Sequence, residues 1–413
     1  MHIITKIVRL RNVEGWAAAG RLGSRWETGA VTGAWYPARA VVDTAAISGN
    51  VRTLARAAGS AQVMAVVKAD AYGHGLLPSA RAALAGGATW LGVAQTGEAL
   101  ALRTAGIVEP RVLTWLYAPG APLADLLVAD VDVSLAAPWA LDGVVAAARA
   151  TGRTARVHLK VDTGLGRNGL TGPQLDDLLP ALMRAQADGA VVVVGIWSHL
   201  AFADTPDHPT VRAQAGVFEQ TVAATERAGA RLEVRHLANS AAVLRWPSVH
   251  YDLVRPGLAV YGLSPIPDQA TSAQLGLVPA MTLQAHLATV KLVPAGQGLS
   301  YAHQYVTTQD TTVGIVPLGY ADGIPRHASG TNQRPGGPVQ VGGRRLAVAG
   351  RVCMDQFVLD LGPAATDVPG DLVTVFGPGA DAEPTAEDWA QTCGTISYEI
   401  VTRLGAQVPR EYV

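Results

Sequence analysis

The stretch AVVKADAYGHG at residues 65–75 decides the fold, because a short apolar strand ends on Lys68 and passes directly into a turn rich in glycine. Further short β-branched runs follow, separated by alanine- and leucine-rich segments of helical length. Strands that alternate with helices favour right-handed βαβ units and a parallel sheet. Eight such units predict an α/β fold with a (β/α)8 barrel of the TIM type. The predicted strands are 63–68, 90–94, 111–117, 132–136, 155–161, 191–199, 231–238 and 258–261.

The residue composition and the hydrophobic pattern of the sequence change after about residue 275. Helical stretches become scarce until about 385–392, and alternating runs rich in Val, Thr, Gly and Pro indicate a mostly antiparallel sheet. We therefore predict a barrel domain at 38–275 and a β-rich C-terminal domain at 276–413. Residues 1–37 hold several basic residues but no apolar segment of signal-peptide length, and we predict a poorly ordered extension there.

The composition of the 413 residues is that of an ordinary globular protein, with 49% hydrophobic and 16% charged residues. A formal net charge of −1 gives no reason to expect nucleic acid or an anionic membrane as a partner. No apolar run approaches the roughly 20 residues of a membrane-spanning helix. Cys353 and Cys393 are the two cysteines and lie far apart, which argues against disulfides and a zinc ribbon and indicates a reducing compartment, the cytoplasm.

Lys68 has the position that a catalytic amine needs. The C-terminal ends of barrel strands face the active site. A lysine that is partly desolvated there has a lowered pKa and becomes nucleophilic enough to form an imine with an aldehyde. For this residue taken alone, a lysine that merely extends from a strand end to water is the alternative.

A second motif, LKVDTGLGRNG at 159–169, satisfies the G-x-G-x-x-G spacing after a strand. A dinucleotide site is disfavoured, because the motif follows the fifth strand and the next strand ends in Ser198 and His199, with no acid for a ribose. We interpret the glycines as a turn that brings Arg167 to the cleft, where its cation can hold a carboxylate or a phenolate oxygen. Glycines that serve only as turn punctuation are the alternative.

The segments ANS at 238–240 and RPGL at 255–258 accompany strands seven and eight, whose loops often bind phosphate in barrels. Ser240 offers a hydroxyl and the Gly257 region offers backbone N–H groups, although Asn239-Ser240 also suits a plain helix N-cap. If Arg255 faced the ring nitrogen of a bound cofactor, it would donate a hydrogen bond but no proton. A structural salt bridge is the alternative for this arginine.

Tyr301, in the β-rich domain, needs help to act as a base. A tyrosine has an ordinary pKa near 10, so it requires cationic neighbours or a hydrogen-bond chain. His199 and Arg255 are the candidates, in a chain from Tyr301 through His199 to Arg255. Ordinary packing is the alternative for a tyrosine in a β run.

Together these motifs resemble the bacterial alanine racemase family, a pyridoxal-phosphate-dependent family of fold type III. The resemblance spans about residues 38–410 and depends on the joint order of its motifs. They are AVVKADAYGHG (65–75), LKVDTGLGRNG (159–169), HLANSA (236–241), VRPGLAVYG (254–262), SYAHQY (300–305), LGYADG (318–323), CMDQ (353–356) and TISYE (395–399).

The resemblance implies pyridoxal 5'-phosphate as cofactor, alanine as substrate and a head-to-tail homodimer with shared active sites. Lys68 would carry the cofactor as an imine and act as base for one enantiomer, and Tyr301, donated by the partner subunit, would be the base for the other. Lys160 is the counterpart of a lysine that is often carbamylated in the family, and an unmodified lysine is the alternative. Arg255 would contact the ring nitrogen of the cofactor, and His199 would also bind the cofactor. The phosphate would be held by Tyr72, Ser240, Gly257, Leu258 and Tyr398. Arg167 and the Met354 backbone would bind the substrate carboxylate, Tyr320 and Tyr398 would narrow the entrance, and His236, Asn239 and Asp355 would support the site.

The activity that the resemblance implies is interconversion of L- and D-alanine by two bases, which supplies D-alanine for peptidoglycan. The nearest alternatives are a serine or broad-specificity racemase or a decarboxylase of the same fold, because one methylene or hydroxyl shifts preference only modestly. A non-catalytic pyridoxal-phosphate-binding protein would lack the second domain. We predict no metal site, since the β domain has only His286, His303 and His327 and no His-x-Cys pair.

Overall fold

The computed structural model describes residues 36–413, so nearly all of the predicted extension at 1–37 lies outside the described residues. Strands and helices alternate over the first part, and strands dominate the second. In chain order the first part contains β1 (Ala38–Val42), α1 (Thr44–Ala58), β2 (Gln62–Val66), α2 (Lys68–Tyr72), α3 (Leu76–Ala85), β3 (Trp90–Val93), α4 (Thr96–Thr104), β4 (Arg111–Thr114), α5 (Leu123–Val128), β5 (Asp132–Leu135), α6 (Trp139–Thr151), β6 (Ala155–Lys160), α7 (Gly172–Ala187), β7 (Val191–Trp197), α8 (Pro209–Arg227), β8 (Val234–His236), α9 (Ser240–Arg245) and β9 (Leu253–Val254).

The second part begins after a short 3-10 turn at Ala273–Leu275. It contains β10 (Met281–His286), β11 (Thr289–Val293), β12 (Gly298–Leu299), β13 (Tyr305–Val306), β14 (Thr311–Val316), β15 (Pro338–Val341), β16 (Arg344–Ala347), β17 (Phe357–Gly362), β18 (Leu372–Phe376), α10 (Ala386–Cys393), α11 (Ser397–Thr402) and β19 (Arg410–Tyr412).

Eight parallel strands form the barrel sheet in the order β8-β7-β6-β5-β4-β3-β2-β9. Backbone hydrogen bonds from Asp252 N to Arg235 O (3.1 Å) and from Arg255 N to Ala238 O (2.9 Å) join its two ends. The predicted barrel followed by a mostly β domain is therefore confirmed. The parallel arrangement brings all C-terminal strand ends to one face, where Lys68 follows β2.

The predicted eighth strand at 258–261 is wrong. The eighth barrel strand is the two-residue β9 at Leu253–Val254, and Leu258–Tyr261 forms a 3-10 helix. All four residues of that helix are buried. A short, fully buried apolar run has no period that separates strand from helix.

The strand β1 does not join the barrel, although the sequence assigned residues 38–42 to the barrel segment. It pairs antiparallel with β10 and parallel with β19. It is thereby part of a six-stranded sheet in the order β16-β15-β18-β10-β1-β19, beside a three-stranded sheet β11-β14-β17 and a two-stranded sheet β12-β13. The first strand and the last strand of the described residues, β1 and β19, therefore both belong to the sheet of the second domain.

Local sequence explains the helices that surround the barrel. The Asp43 side chain caps α1 by accepting a hydrogen bond from Ala46 N, and Ile47, Val51 and Leu54 bury one face at helical spacing. Thr171 and Gln174 form a capping box at the start of α7. None of the helices between residues 36 and 413 combines the length and apolarity that crossing a bilayer requires.

Candidate active site

Lys68 opens a left-handed turn at the C-terminal end of the first barrel strand. Ala69, Asp70 and Ala71 have φ values of 51 to 55° and ψ values of 45 to 54°, and Tyr72 has a φ of 54°. Left-handed backbone costs an L-residue other than glycine about 1–2 kcal/mol, so four in a row need compensating contacts. Such local strain concentrates at functional sites.

Three side chains hold this turn. Glu98 Oε1 accepts a hydrogen bond from Ala69 N at 2.6 Å, and Asp70 Oδ1 accepts one from Leu76 N at 2.7 Å. His74 Nδ1 lies 3.1 Å from Ala71 O and 2.9 Å from Tyr72 O, so it carries the proton and donates to these carbonyls. Sequence reasoning missed Glu98 and His74, although His74 stands within the motif at 65–75.

The environment of Lys68 favours a neutral amine. Burial lowers the pKa of the Lys68 amine, the positive charge of Arg167 lowers it further, and Glu98 opposes both. The Nζ atom lies 6.0 Å from the centre of the Tyr72 ring. A neutral amine is the form that attacks an aldehyde or takes up a proton.

Arg255 is buried and is held from several sides. Its Nη2 donates to Ser198 O at 2.7 Å and to Leu237 O at 3.3 Å, and its Nη1 donates to His236 Nδ1 at 3.3 Å. The guanidinium carbon stands 4.8 Å from the centre of the Trp197 ring. Burial lowers the pKa of Arg255 to about 9, which still leaves a cation at neutral pH.

A group of hydroxyl and N–H groups surrounds Ser240, the first residue of α9. Ser240 Oγ accepts hydrogen bonds from Gly257 N at 2.8 Å and Ala259 N at 3.3 Å. The Asn239 side chain accepts a hydrogen bond from Ala242 N, which is the helix N-cap that the sequence offered as one role for Asn239-Ser240. The Tyr72 hydroxyl stands against Gly257 so closely that a Cβ there would overlap it.

Tyr398 and Leu258 complete this group. The Tyr398 ring centre lies 6.2 Å from that of Tyr72, and Leu258 is buried at the start of its 3-10 helix. The predicted phosphate ligands Tyr72, Ser240, Gly257, Leu258 and Tyr398 therefore lie in one region. Hydroxyl donors of this kind suit a phosphate group, whereas the Gly257 and Ala259 N–H groups already donate to Ser240 Oγ.

The glycine motif after β6 wraps around a carboxylate of its own chain. Asp162 Oδ1 accepts hydrogen bonds from Gly164 N and Leu165 N at 2.9 Å and from Gly166 N at 3.2 Å. Since these N–H groups already have an acceptor, they do not form a dinucleotide cradle. The left-handed φ of 69° at Gly166 turns the chain just before Arg167, which is exposed and whose charge acts on Lys68 and Lys160.

Lys160 and His199 lie in a pocket of positive charge. Burial, followed by the charges of Arg167 and Arg255, lowers the pKa of Lys160 to about 7. Burial and Arg255 likewise hold the pKa of His199 well below its ordinary value. These mutual effects show that Lys68, Lys160, Arg167 and Arg255 lie within electrostatic range of one another, and such a cluster of cations suits an anionic ligand.

The predicted chain from Tyr301 through His199 to Arg255 is not formed within one chain. Between residues 36 and 413, no hydrogen bond joins the side chains of His199 and Arg255, and their coupling is electrostatic. Tyr301 has no described contact with Lys68 in the same chain. Instead 70% of its surface is exposed, on a 3-10 turn at Tyr301–His303.

Three further predicted residues lie on the β-rich domain. Met354 and Tyr320 are exposed by 54% and 40%, and the neighbouring Asp355 is also exposed. Their loops are joined by backbone hydrogen bonds from Tyr320 N to Cys353 O (3.0 Å) and from Ala321 N to Met354 O (2.9 Å). The structure brings these residues together on a surface of the β domain.

Sequence reasoning also missed Asp322, which holds the Tyr320 loop. Its Oδ2 accepts a hydrogen bond from Gly319 N at 2.7 Å, and its Oδ1 accepts from the Tyr36 hydroxyl and the Gln407 amide. The carboxylate is 1% exposed. The motif at 318–323 contained this residue, but only the fold reveals its partners from both ends of the described chain.

Comparison with known families agrees with this architecture. Residues 42–265 match the alanine racemase N-terminal domain, and residues 280–412 match the alanine racemase C-terminal domain. These matches, together with a barrel that has a lysine at the end of its first strand and a β domain after it, place the chain among the amino-acid racemases. The chain belongs to the alanine racemase family.

Individual relatives cover almost the whole described chain. The alanine racemase of Beutenbergia cavernae is 62% identical over 378 residues, which are 92% of this chain and 98% of the relative. The crystal structure of alanine racemase from D-cycloserine-producing Streptomyces lavendulae has a TM-score of 0.89 at 53% identity, over 91% of this chain and 97% of that one. Alanine racemase from Streptomyces coelicolor A3(2) has a TM-score of 0.88 at 55% identity, over 91% and 98%.

Proposed function

We propose that this protein interconverts L- and D-alanine with pyridoxal 5'-phosphate bound at Lys68. The observation that carries the proposal is the position of Lys68. This half-buried amine of lowered pKa follows a barrel strand on a strained turn and lies within electrostatic range of Arg167 and Lys160. The alanine racemase relatives, which match over most of both chains, support the choice of substrate.

The residues present fit pyridoxal phosphate in three respects. Tyr72, Ser240 and Tyr398 supply hydroxyl groups for the phosphate, beside the backbone of Gly257 and Leu258. Arg255 uses three of the five N–H groups of a guanidinium in the contacts above. The rest suit a ring nitrogen, and the Lys68 amine suits the aldehyde.

The cofactor, when bound, makes the α-hydrogen of an amino acid acidic by delocalising the negative charge. Lys68 then holds or removes the proton on one face of the α-carbon; removal requires a neutral amine, the form that its lowered pKa favours. Arg255 keeps its own proton and only donates a hydrogen bond. Arg167 and the backbone of Met354 bind the substrate carboxylate.

Tyr301 is the proton donor and acceptor on the opposite face, and we assign it to the partner subunit of a head-to-tail homodimer. Its exposure on the β domain supports this assignment, as does the hydrogen bond at 2.8 Å from Ser300 Oγ to Arg351 O, which ties its loop to the segment that carries the exposed Met354. The cationic pocket of Lys160, Arg167 and Arg255, with His199, would lower the pKa of a phenol brought to it. Two groups on opposite faces are needed, since a single base returns the proton mainly to the side it left.

Lys160 is a carbamate in the active protein. A pKa of about 7 gives the neutral amine that CO₂ requires, and a carbamate converts a repelling cation into an anion that orients Arg167. An unmodified Lys160 is the alternative. The Lys160 amine also lies 4.3 Å from the centre of the Trp197 ring.

The reaction takes place in the cytoplasm and supplies D-alanine for peptidoglycan. The test measures racemisation of alanine, serine and leucine in both directions, together with the cofactor absorbance. We expect alanine to be preferred, because Tyr320 and Tyr398 narrow the entrance. Equal rates with serine would favour a broad-specificity racemase, and cofactor absorbance without any turnover would favour a binding protein.

A further inference from the structure

A chain of buried polar side chains runs through the interior of the barrel to Arg255. Asp132 is the first residue of β5, His158 lies within β6, and His236 is the last residue of β8. Asp132 Oδ2 lies 3.1 Å from His158 Nε2, and His158 Nδ1 lies 2.9 Å from His236 Nε2. Asp132, His158 and His236 are each 0% exposed.

The hydrogen bonds between these side chains all run in the same direction. A carboxylate only accepts, so His158 Nε2 carries a proton and, in a neutral ring, His158 Nδ1 has a lone pair. His236 Nε2 must then donate to that lone pair, which leaves His236 Nδ1 as the acceptor for Arg255 Nη1 at 3.3 Å. Each tautomer thus follows from the one before it, beginning at Asp132.

Charges at the start of the strands keep Asp132 ionised. Burial would raise the pKa of Asp132, but hydrogen bonds from His158 and Arg111 and the positive charge of Arg111 lower it to about 2. Arg156 Nε adds a hydrogen bond at 2.6 Å. Burial and the Arg255 charge hold the pKa of His236 well below its ordinary value, so this ring is neutral.

The packing around the two rings leaves little freedom. The His236 ring stacks on Trp197 with an interplanar angle of 3° and centres 5.6 Å apart. His158 pairs in register with Gly195 of β7, where the register shifts, and a Cβ on Gly195 would overlap the His158 ring. A glycine in the middle of a strand therefore makes the space for this histidine.

We propose that Asp132 and His158 are positioning residues for Arg255, holding His236 in the tautomer that accepts from the guanidinium and thereby fixing the group that faces the cofactor ring nitrogen. This inference rests on the proposed function. A His236 ring with a proton on Nδ1 would present a donor to a cation and displace Arg255. The carboxylate that sets the arrangement lies at the end of the barrel opposite the active site.

The test compares Asp132→Asn with two matched controls. Asp130→Asn removes a carboxylate that Arg156 binds at 2.8 Å, and Glu233→Gln removes one that Arg111 binds at 3.1 Å. Neither control residue contacts His158. Each control removes a partner of one of the two arginines that bind Asp132, but only Asp132→Asn changes the residue that contacts His158.

The first readout is ¹⁵N NMR of the histidine side chains in the protein without cofactor. In the wild type we expect protonated Nε2 and unprotonated Nδ1 in both His158 and His236. Asp132→Asn should give a mixed or reversed tautomer in at least one ring, and the controls should match the wild type. Wild-type tautomers in Asp132→Asn would overturn the proposal.

The second readout uses the loaded protein. We expect Asp132→Asn to shift the cofactor absorbance and its pH midpoint and to lower kcat about tenfold, the scale of lost outer contacts in other sites, with less change in KM. His158→Gln retains one donor and one acceptor, so its absorbance and kcat should stay close to those of the wild type. His158→Leu should show losses like those of Asp132→Asn. Equal effects of the Gln and Leu variants would mean that His158 acts only through packing, and would reject its positioning role for Arg255.

These outcomes separate the two proposals. If the wild type fails to racemise amino acids, the proposed function is wrong. The histidine tautomers still show whether Asp132 and His158 position His236. If Asp132→Asn fails to fold, the His158 pair carries the test through the same spectra.

Discussion

The amine of Lys160 and the guanidinium of Arg255 both contact the ring of Trp197, at 4.3 Å and 4.8 Å from its centre. Burial, followed by the positive charges of Arg167 and Arg255, lowers the pKa of the Lys160 amine to about 7. The same closeness makes a modification that inverts the charge of Lys160 favourable.

Carbamylation of Lys160 should therefore be visible and should depend on pH. With a pKa lowered to about 7, the neutral amine forms as the pH rises through about 7, so the carbamate should increase in the same direction. ¹³C NMR after equilibration with ¹³C-bicarbonate measures it. Lys160→Arg, which cannot form a carbamate, should lose the signal and raise KM for alanine, on the order of tenfold. A wild-type protein without the signal would show an unmodified lysine.

Lys68 should be the attachment point of pyridoxal phosphate. The sequence contains Lys6, Lys68, Lys160 and Lys291. Borohydride reduction of the loaded protein should place the cofactor mass on the Lys68 peptide, because this amine combines partial burial with a lowered pKa. Lys68→Arg should lose the label and racemisation, while Lys291→Arg, on the exposed strand β11, should behave as wild type. Labelling of Lys160 or Lys291 instead would refute the assignment.

Tyr301 should act across the dimer. Tyr301→Phe should retain cofactor binding and lose racemisation by roughly 10³-fold, within the usual range of acid–base catalysis. Lys68→Ala should also be inactive. Coexpressed chains carrying one change each should recover about a quarter of wild-type activity, because half of the dimers then contain one intact site.

The control for this experiment is coexpression of Tyr301→Phe with a chain that carries both changes. That mixture has no intact site in any arrangement and should stay inactive. Activity restored equally by both mixtures, or by neither, would argue against a site shared between subunits.

His74 should make stability depend on pH. It is 1% exposed, and burial lowers its pKa to about 4. The unfolded chain, with a pKa near 6.5, binds a proton that the folded chain refuses, so stability falls as the pH drops from about 6.5 towards 4. The full effect is about 3 kcal/mol.

Urea unfolding at fixed protein concentration measures this contribution. His74→Asn retains a donor for the Ala71 and Tyr72 carbonyls but does not titrate, so its stability should change less with pH by about one proton. His327→Asn, an exposed histidine on the β domain, is the matched control. Parallel pH profiles for wild type and His74→Asn would contradict the assignment.

The ordering of motifs made much of this protein predictable. The alternation between 60 and 262 encodes helices and strands by local periodicity, and the barrel followed from it. Lys68, Ser240 and Arg255 could be singled out, because strand ends in a barrel converge on one face. Family resemblance supplied roles, such as that of Tyr398, for which no single residue pattern would suffice.

Other features depend on contacts between distant segments. Strand β1 lies in the second domain because β10 and β19 offer it partners more than 200 residues away. The apolar run at 258–261 became a 3-10 helix, and two residues at 253–254 completed the barrel. Local pattern contains no information on either choice.

By itself the sequence determined the succession of strands and helices, the change of texture near residue 275 and the lysine at the first barrel strand end. Those properties depend on neighbours along the chain. Only the tertiary structure decided that Asp132, His158, His236 and Arg255 form one directed chain and that Tyr301 stands exposed on the other domain. Such relations arise when closure of the barrel brings separate strands together, and hydrogen-bond direction exists only once donors and acceptors meet.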